Sequence, residues 1–204
     1  MYDLEQASAT LPPTGKSIRL KFITLSVTIL VFMILGSVAA QAQTTPLVVT
    51  AMDAGRFYGD SNPSFTGTIT GLRAGDNITV VYNTVANPGS AVGTYQIVPT
   101  LVDPDNKLSS YAVTINNATL TVTPAPLLVS ANDATRASGT ANPTFTGTVQ
   151  GLKNGDAITA THDSAATADS PAGSYAIVPK LQDASGNLGN YSVSMSNGTL
   201  TVTP

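Results

Sequence analysis

Polar and apolar residues alternate along a stretch in the middle of the chain. Tyr95, Ile97, Pro99 and Leu101 occupy every second position, and mostly polar residues stand between them. A period of two is typical of a β-strand with one buried and one solvated face. The pattern therefore predicts a strand that buries these four side chains.

A second alternation follows at Tyr111, Val113 and Ile115, whose neighbours are small or polar, and it predicts another strand with one buried face. β-branched residues between turn signals predict further strands near 47–52, 65–70, 77–83 and 118–123. None of these stretches has the 3.6-residue period of a long helix, so the region is predicted to be all-β.

The same pattern occurs twice along the chain. A stretch beginning at Pro46 returns at Pro126 without a gap, an offset of 126 − 46 = 80 residues. Each copy, residues 46–124 and residues 126–204, is predicted to be one module that buries a modest core of its own. Two prolines within residues 123–127 favour extended backbone and predict a short, stiff joint between the copies.

The number of strands indicates the fold class. Six or seven short strands in each copy predict two tandem Ig-like β-sandwich modules, preceded by an apolar N-terminal helix. The alternative fold is a small mixed β-sheet with one short helix per module. Residues 71–76 are the segment that could form one helical turn, although they are rich in glycine.

The first 42 residues have the pattern of a targeting segment. A positive region over 16–21 is followed by an apolar run over 22–35 and by a small-x-small tripeptide over 40–42. This order predicts a signal peptide that is cleaved after Ala42. If it is not cleaved, the apolar residues 22–40 are long enough to form a membrane anchor. Either interpretation of residues 1–42 predicts export, to the cell surface or into the medium.

The composition narrows the possible partners. Charged residues make up 10% of the 204-residue chain, and the net charge is −3. Ordinary globular domains contain about 25% charged residues. No basic stripe is available to neutralise phosphates, so nucleic-acid binding is not expected. The sequence has no Cys, which excludes disulfides and thiolate sites.

Few residues suit catalysis or metal binding. The single histidine, His162, replaces Tyr82 of the first copy, so the copies cannot share a site that needs it. Asp76 and Asp156 follow glycine in turns, where a carboxylate is expected to accept a backbone N–H. The segment that begins at Asp103 looks like half of a calcium loop, but the second copy keeps only one of its acids. We therefore expect no enzymatic activity, no metal site and no cofactor.

Two adjacent aromatic residues, Phe57 and Tyr58, would suit stacking on a sugar. Their counterparts in the second copy are Ala137 and Ser138, so such a surface would belong to the first copy alone. Phe57 and Tyr58 are therefore the candidate ligand contacts. The alternative interpretation is a local packing contact.

Several short motifs recur in both copies. In the first copy they are Arg56-Phe57-Tyr58-Gly59, Asn62-Pro63, Phe65-Thr66-Gly67, Gly71-Leu72, Gly75-Asp76, Gly93-Thr94-Tyr95 and Thr119-Leu120-Thr121-Val122. Together they resemble the MBG family, in the type named for a Tyr-Gly pair near its start. The second copy departs from the pattern where Ser138 replaces Tyr58. The resemblance implies mostly-β modules of bacterial surface and secreted proteins, often in tandem, and it implies no common ligand or activity.

These observations lead to two hypotheses about function. The first is a non-enzymatic structural or spacer repeat region of an exported bacterial cell-surface protein, with adhesion as an extension of that role. The second is a carbohydrate- or protein-binding module, whose partner would be a surface glycan or another envelope protein. The chain stops at Pro204, where another copy would begin, which suggests a truncated or minimal relative of a longer array.

Overall fold

A computed structural model describes residues 44–204, and this part of the chain is all-β. The first module contains seven strands: β1 (Thr45–Ala51), β2 (Ala54–Phe57), β3 (Gly67–Thr70), β4 (Thr79–Asn83), β5 (Gly93–Val102), β6 (Tyr111–Asn116) and β7 (Ala118–Thr123). The second module repeats them: β8 (Ala125–Ala131), β9 (Ala134–Ala137), β10 (Gly147–Gln150), β11 (Ile158–Ser164), β12 (Gly173–Asp183), β13 (Tyr191–Ser196) and β14 (Gly198–Thr203). The predicted all-β class and the tandem repetition are confirmed.

Helical structure is minimal in the described region. One 3-10 turn, Leu108–Ser110, precedes β6, and its repeat, Leu188–Asn190, precedes β13. Within residues 44–204 no helix has the length and apolar character needed to cross a membrane. The predicted apolar helix and the signal peptide or anchor over 1–42 lie outside the described residues.

Each module folds into two sheets. In the first module one sheet has the strand order β3-β1-β6 and the other has the order β2-β7-β5-β4. Both sheets are mixed, because β1 pairs with β6 in parallel and β2 pairs with β7 in parallel, whereas the other neighbours are antiparallel. The second module repeats this arrangement with the orders β10-β8-β13 and β9-β14-β12-β11.

The alternative fold, a mixed sheet with one short helix per module, is wrong about the helix and right about the mixed strand pairing. Its helix is absent, because residues 71–76 form a turn that places Gly71 and Gly75 at φ values of 88° and 91°. Those values lie in the left-handed region, where glycine pays no steric penalty. The mixed pairing that this alternative predicted is present in both sheets.

The alternation along β5 predicted its buried face correctly. Ile97 and Pro99 are buried, and Tyr95 and Leu101 are half-buried, while the residues between them are exposed. Ile97 is fully buried in one cluster with the side chains of β7. The equivalent face of β12 repeats this burial, so the period-of-two pattern located the core in both modules.

The alternation along β6 predicted too much burial. Tyr111 is buried, but Val113 is 39% exposed and Ile115 is 45% exposed. The reason is the strand's place in the fold, because β6 is an edge strand of a three-stranded sheet. Only its first residue is covered by the rest of the module, and in the second module Tyr191 is likewise buried whereas Met195 is 51% exposed.

A short strand that the sequence pattern did not predict, β2, carries a buried arginine. Arg56 is 8% exposed, and its Nε donates to Asn62 Oδ1 at 2.8 Å. Its guanidinium also donates to the backbone carbonyls of Phe57 and Asn87. These bonds tie β2 to two loops, and Arg136 makes the same set in the second module.

The connection between the modules is a single residue. β7 ends at Thr123 and β8 begins at Ala125, so only Pro124 lies between the strands. Ala125 is fully buried, and it belongs to a cluster of buried side chains that contains residues of both modules. The prediction of a short joint is therefore confirmed, and its stiffness remains a prediction.

Candidate functional site

The main candidate site is the surface where the two modules meet, called here the module joint. Two loops of the first module, after β2 and after β4, approach the loop before β11 and the turn before β13 of the second module. The joint consists of Tyr58, Gly59, Asp60, Pro88 and Val92 from the first module and Lys153, Asn154, Asp156, Asn190 and Tyr191 from the second.

Tyr58 is the central residue of the joint. Its backbone N–H donates to the Thr123 carbonyl at 2.8 Å, which fixes the residue directly beside the end of β7. The side chain is only 3% exposed. Its ring meets the ring of Tyr191 edge-on, with centroids 5.5 Å apart and an interplanar angle of 79°. This edge-to-face geometry is favourable because the positive ring edge faces the negative ring face.

The carboxylate of Asp156 accepts hydrogen bonds from both tyrosine hydroxyls. Tyr191 donates to Asp156 Oδ2 at 2.6 Å, and Tyr58 donates to the same oxygen at 3.1 Å. Asn187 Nδ2 donates to the other oxygen, Oδ1, at 2.6 Å. Asp156 therefore links the two modules through its hydrogen bond from the Tyr58 hydroxyl.

Burial, together with the hydrogen bond to Asp156, raises the pKa of Tyr191 to about 12. An unfolded tyrosine titrates near pH 10. Since the folded pKa is the higher one, the stabilisation is fully present below about pH 10 and is lost as the pH rises through about 12. We expect the free energy of unfolding to fall across this window more steeply in the wild type than in Tyr191→Phe. Urea unfolding at a series of alkaline pH values measures the difference, and parallel curves would contradict this role of the hydroxyl.

Polar contacts surround the aromatic pair. Lys153 Nζ lies 2.9 Å from Asp60 Oδ1, with both side chains more than one third exposed. Asn154 Nδ2 donates to the Pro88 carbonyl at 3.2 Å. An exposed ion pair contributes only about 0.2–1 kcal/mol. These contacts therefore orient the modules, and the buried tyrosines provide most of the stabilisation.

The glycine of the Tyr-Gly pair lies directly against the second module. Gly59 has a φ of 82°, and a Cβ at this position would overlap Cβ and Cγ of Lys153. Gly139, its counterpart, has a φ of 77° with open space around it. Two reasons therefore favour glycine at position 59: its backbone has a positive φ, and the neighbouring module leaves no room for a Cβ.

This difference between the glycines gives a matched pair of variants. Gly139→Ala is expected to cost about 1–2 kcal/mol for the left-handed backbone alone. Gly59→Ala is expected to cost about 1–3 kcal/mol more, because the added methyl group overpacks the joint. The free energies of unfolding of the two variants measure the difference. Equal costs would mean that Lys153 moves aside freely.

Two predicted roles for aspartates need correction. Asp76 and Asp156 were expected to accept backbone N–H groups within their turns. Their carboxylates instead accept the hydroxyls of Tyr111 and Tyr191, which stand 35 residues further along the chain. A turn motif identifies a local partner readily, but it contains no information on a partner so distant.

The candidate ligand contacts, Phe57 and Tyr58, do not form one surface. Successive side chains of a strand point to opposite faces, and Phe57 at the end of β2 is 50% exposed whereas Tyr58 is buried in the joint. In this arrangement Tyr58 offers no surface to a ligand. A ligand contact at Phe57 stays a prediction.

The remaining polar candidates have structural contacts. His162 Nε2 lies 3.2 Å from the Ser130 carbonyl, in a space that Gly147 leaves open. Asp103 accepts the Leu108 N–H at 2.8 Å, and this bond is the main cause that lowers the pKa of its carboxyl. Among residues 44–204 no group of three or more His, Cys, Asp or Glu side chains is placed to hold a metal ion.

Asp60 and Lys153 were not recognised from the sequence. The available signal was the difference between the copies, because Tyr58 and Asp60 of the first copy become Ser138 and Thr140 in the second. A residue that contacts one particular neighbouring module need not be the same in both copies.

The comparisons with known proteins agree with the repetition. The family model described as MBG domain (YGX type) matches residues 47–121 and again residues 127–201. No curated protein matches the chain.

Proposed function

Because the chain belongs to the MBG domain family of the YGX type, as two modules in tandem, we propose that it is a structural repeat region without enzymatic activity. MBG repeat domains occur in surface proteins. In this proposal the chain is exported from a bacterial cell and acts as a spacer, in which successive modules keep one fixed arrangement. An adhesive role would build on this spacing.

The observation that carries the proposal is the burial of Tyr58 between the modules. A flexible linker would leave this ring in solvent, whereas here it is 3% exposed and hydrogen-bonded to Asp156. A one-residue connection at Pro124 further restricts the relative motion of the modules. Both features favour a role that depends on geometry.

The proposal includes the finer details of fold and location. We infer that the two sheets of each module pack as an Ig-like sandwich, which is supported by fully buried side chains on strands of both sheets, such as Leu47 and Ile97. The parallel pairs differ from the antiparallel sheets typical of that fold. Export rests on the targeting pattern of residues 1–42, with cleavage after Ala42.

A binding module is the second candidate function, and two exposed side chains favour it. Phe57 is 50% exposed and Val85 is 88% exposed, while their counterparts in the second module are Ala137 and Ala165. An exposed aromatic ring that only one copy carries, such as that of Phe57, is suited to contact a surface glycan or another envelope protein.

A glycan array probed with residues 43–204 separates the two functions. The spacer proposal predicts no glycan signal above background, for the wild type and for Phe57→Ala alike. Reproducible binding that Phe57→Ala removes would overturn the spacer proposal in favour of the binding module. Phe57 is the suitable position, since a change at Tyr58 would also disturb the joint.

A further inference from the structure

The first module carries its own version of the surface that receives Tyr58. In the second module this surface consists of Lys153, Asp156 and Tyr191, called here the joint acceptor. With the offset of 80 residues, the first module has Arg73, Asp76 and Tyr111 at the same places, called here the free acceptor. Each keeps a cation, a carboxylate and a tyrosine.

The two acceptors share the contacts between their tyrosine, their carboxylate and the backbone. Tyr111 donates its hydroxyl to Asp76 Oδ2, as Tyr191 does to Asp156. The backbone N–H of Arg73 donates to the Tyr111 hydroxyl at 3.0 Å, and the Lys153 N–H makes the same bond at 2.9 Å. The tyrosine and the carboxylate of the free acceptor are therefore already arranged as they are in the joint.

The free acceptor has no module seated on it among the described residues. The Arg73 guanidinium lies over the ring of Tyr111, 5.1 Å from its centroid. Arg73 is exposed and Asp76 is half-buried. The Arg73 guanidinium also donates to Thr45 Oγ1 and to the Ser110 carbonyl, and it would exchange these contacts for an incoming carboxylate. In the joint, the corresponding lysine pairs with an aspartate and the corresponding carboxylate accepts a tyrosine hydroxyl.

Neither described module has an unused Tyr-Gly-Asp loop that could bind the free acceptor. Tyr58-Gly59 is the only Tyr-Gly pair of the sequence, and Tyr58 is already buried in the joint. The second module has Ser138 and Thr140 where the first has Tyr58 and Asp60, so it lacks both the ring and the carboxylate. The ring and the carboxylate that fit the free acceptor therefore come from a module outside residues 44–204.

We propose that Arg73, Asp76 and Tyr111 form a docking surface for a Tyr-Gly-Asp loop of an MBG module on another polypeptide. The incoming tyrosine donates its hydroxyl to Asp76 and packs against Tyr111. The incoming aspartate pairs with Arg73, and the glycine leaves room for the stem of the Arg73 side chain. The contact joins modules end to end, so this inference rests on the proposed spacer function. The partner that it adds to that function is a further MBG module.

Two substitutions introduce the Tyr-Gly-Asp loop into the second module of the chain itself. Ser138→Tyr with Thr140→Asp restores the ring and the acid at two exposed positions, where the change leaves the core intact. Each molecule then presents a donor loop at one module and the free acceptor at the other. Such a head-to-tail contact does not use the same patch on both partners, so it propagates into open chains, or into rings where the rotation closes.

Sedimentation of residues 44–204, which form one compact unit, measures this association. We expect the average mass of the double variant to rise with concentration beyond a dimer, while the wild type stays monomeric. The association will be weaker than the joint, because a tether holds joined modules at an effective concentration on the order of millimolar. The concentration series should therefore extend to about 1 mM.

Two further variants show where the contact forms. Asp76→Ala and Arg73→Glu, each added to the double variant, are expected to return it to a monomer, and thermal unfolding checks that each variant is folded. A double variant that remains monomeric up to about 1 mM would overturn the proposal. Association that survives both acceptor changes would overturn it too, because the contact would then lie elsewhere. Either failure leaves the joint within one chain, and hence the proposed function, untouched.

Discussion

Tyr58→Ser, which installs the residue that the second module has at the same place, is expected to uncouple the two modules. The change removes a ring that is 3% exposed and deletes its hydrogen bond to Asp156. Removing a buried aromatic side chain costs about 3–5 kcal/mol in a core, and we expect about 2–4 kcal/mol at this two-sided contact. Urea unfolding should change from one cooperative transition to two, one for each module.

The second module supplies the control for this prediction. Ser138 is exposed, so Ser138→Ala should change the free energy of unfolding by less than about 0.5 kcal/mol and leave the number of transitions unchanged. If Tyr58→Ser unfolds in one transition with the midpoint of the wild type, the ring does not couple the modules.

Arg136→Ala is expected to destabilise the second module by about 3–5 kcal/mol. Arg136 is 7% exposed and donates to Asn142 Oδ1 at 2.7 Å and to the Ala137 carbonyl at 3.0 Å, as well as to the Thr167 carbonyl. Its removal leaves these acceptors without their donor, and each unsatisfied buried group costs about 1–3 kcal/mol. Hydrogen exchange of the amides in β9 and β14 should report the loss of protection.

A lysine at this position tests the geometry of the guanidinium. Lysine keeps the charge but cannot reproduce the planar fork of donors, so Arg136→Lys should recover only a small part of the lost stability. Arg56→Ala should cause the equivalent loss of protection in β2 and β7 of the first module. Full recovery by lysine would show that charge alone is sufficient at this site.

The sequence located the strands and cores well where the determining contacts are short-range. The alternation along β5 predicted a buried Ile97, and the gapless offset transferred that result to Ile177. It did not predict β2, which is only four residues long and pairs in parallel with β7, more than 60 residues later. A local alternation pattern also cannot show that a strand lies at the edge of a sheet. For this reason the pattern wrongly predicts that Val113 and Ile115 are buried.

The joint was harder to predict for a different reason. Tyr58 and Asp156 are 98 residues apart, and neither motif points to the other. Comparison of the two copies identifies residues that both copies share, and it identified the core in this way. The same comparison discards residues that differ between the copies. Tyr58 and Asp60 differ in this way because they contact the following module.

The central claim is that the joint holds the two modules in one arrangement. The chain has no Cys, so Thr100→Cys and Ser192→Cys place one spin label on an exposed position of each module. Pulsed electron paramagnetic resonance then measures the distances between the labels. We predict one narrow distance distribution that broadens when Tyr58→Ser is added. A distribution that is already broad without that change would contradict a fixed joint and, with it, the spacer role.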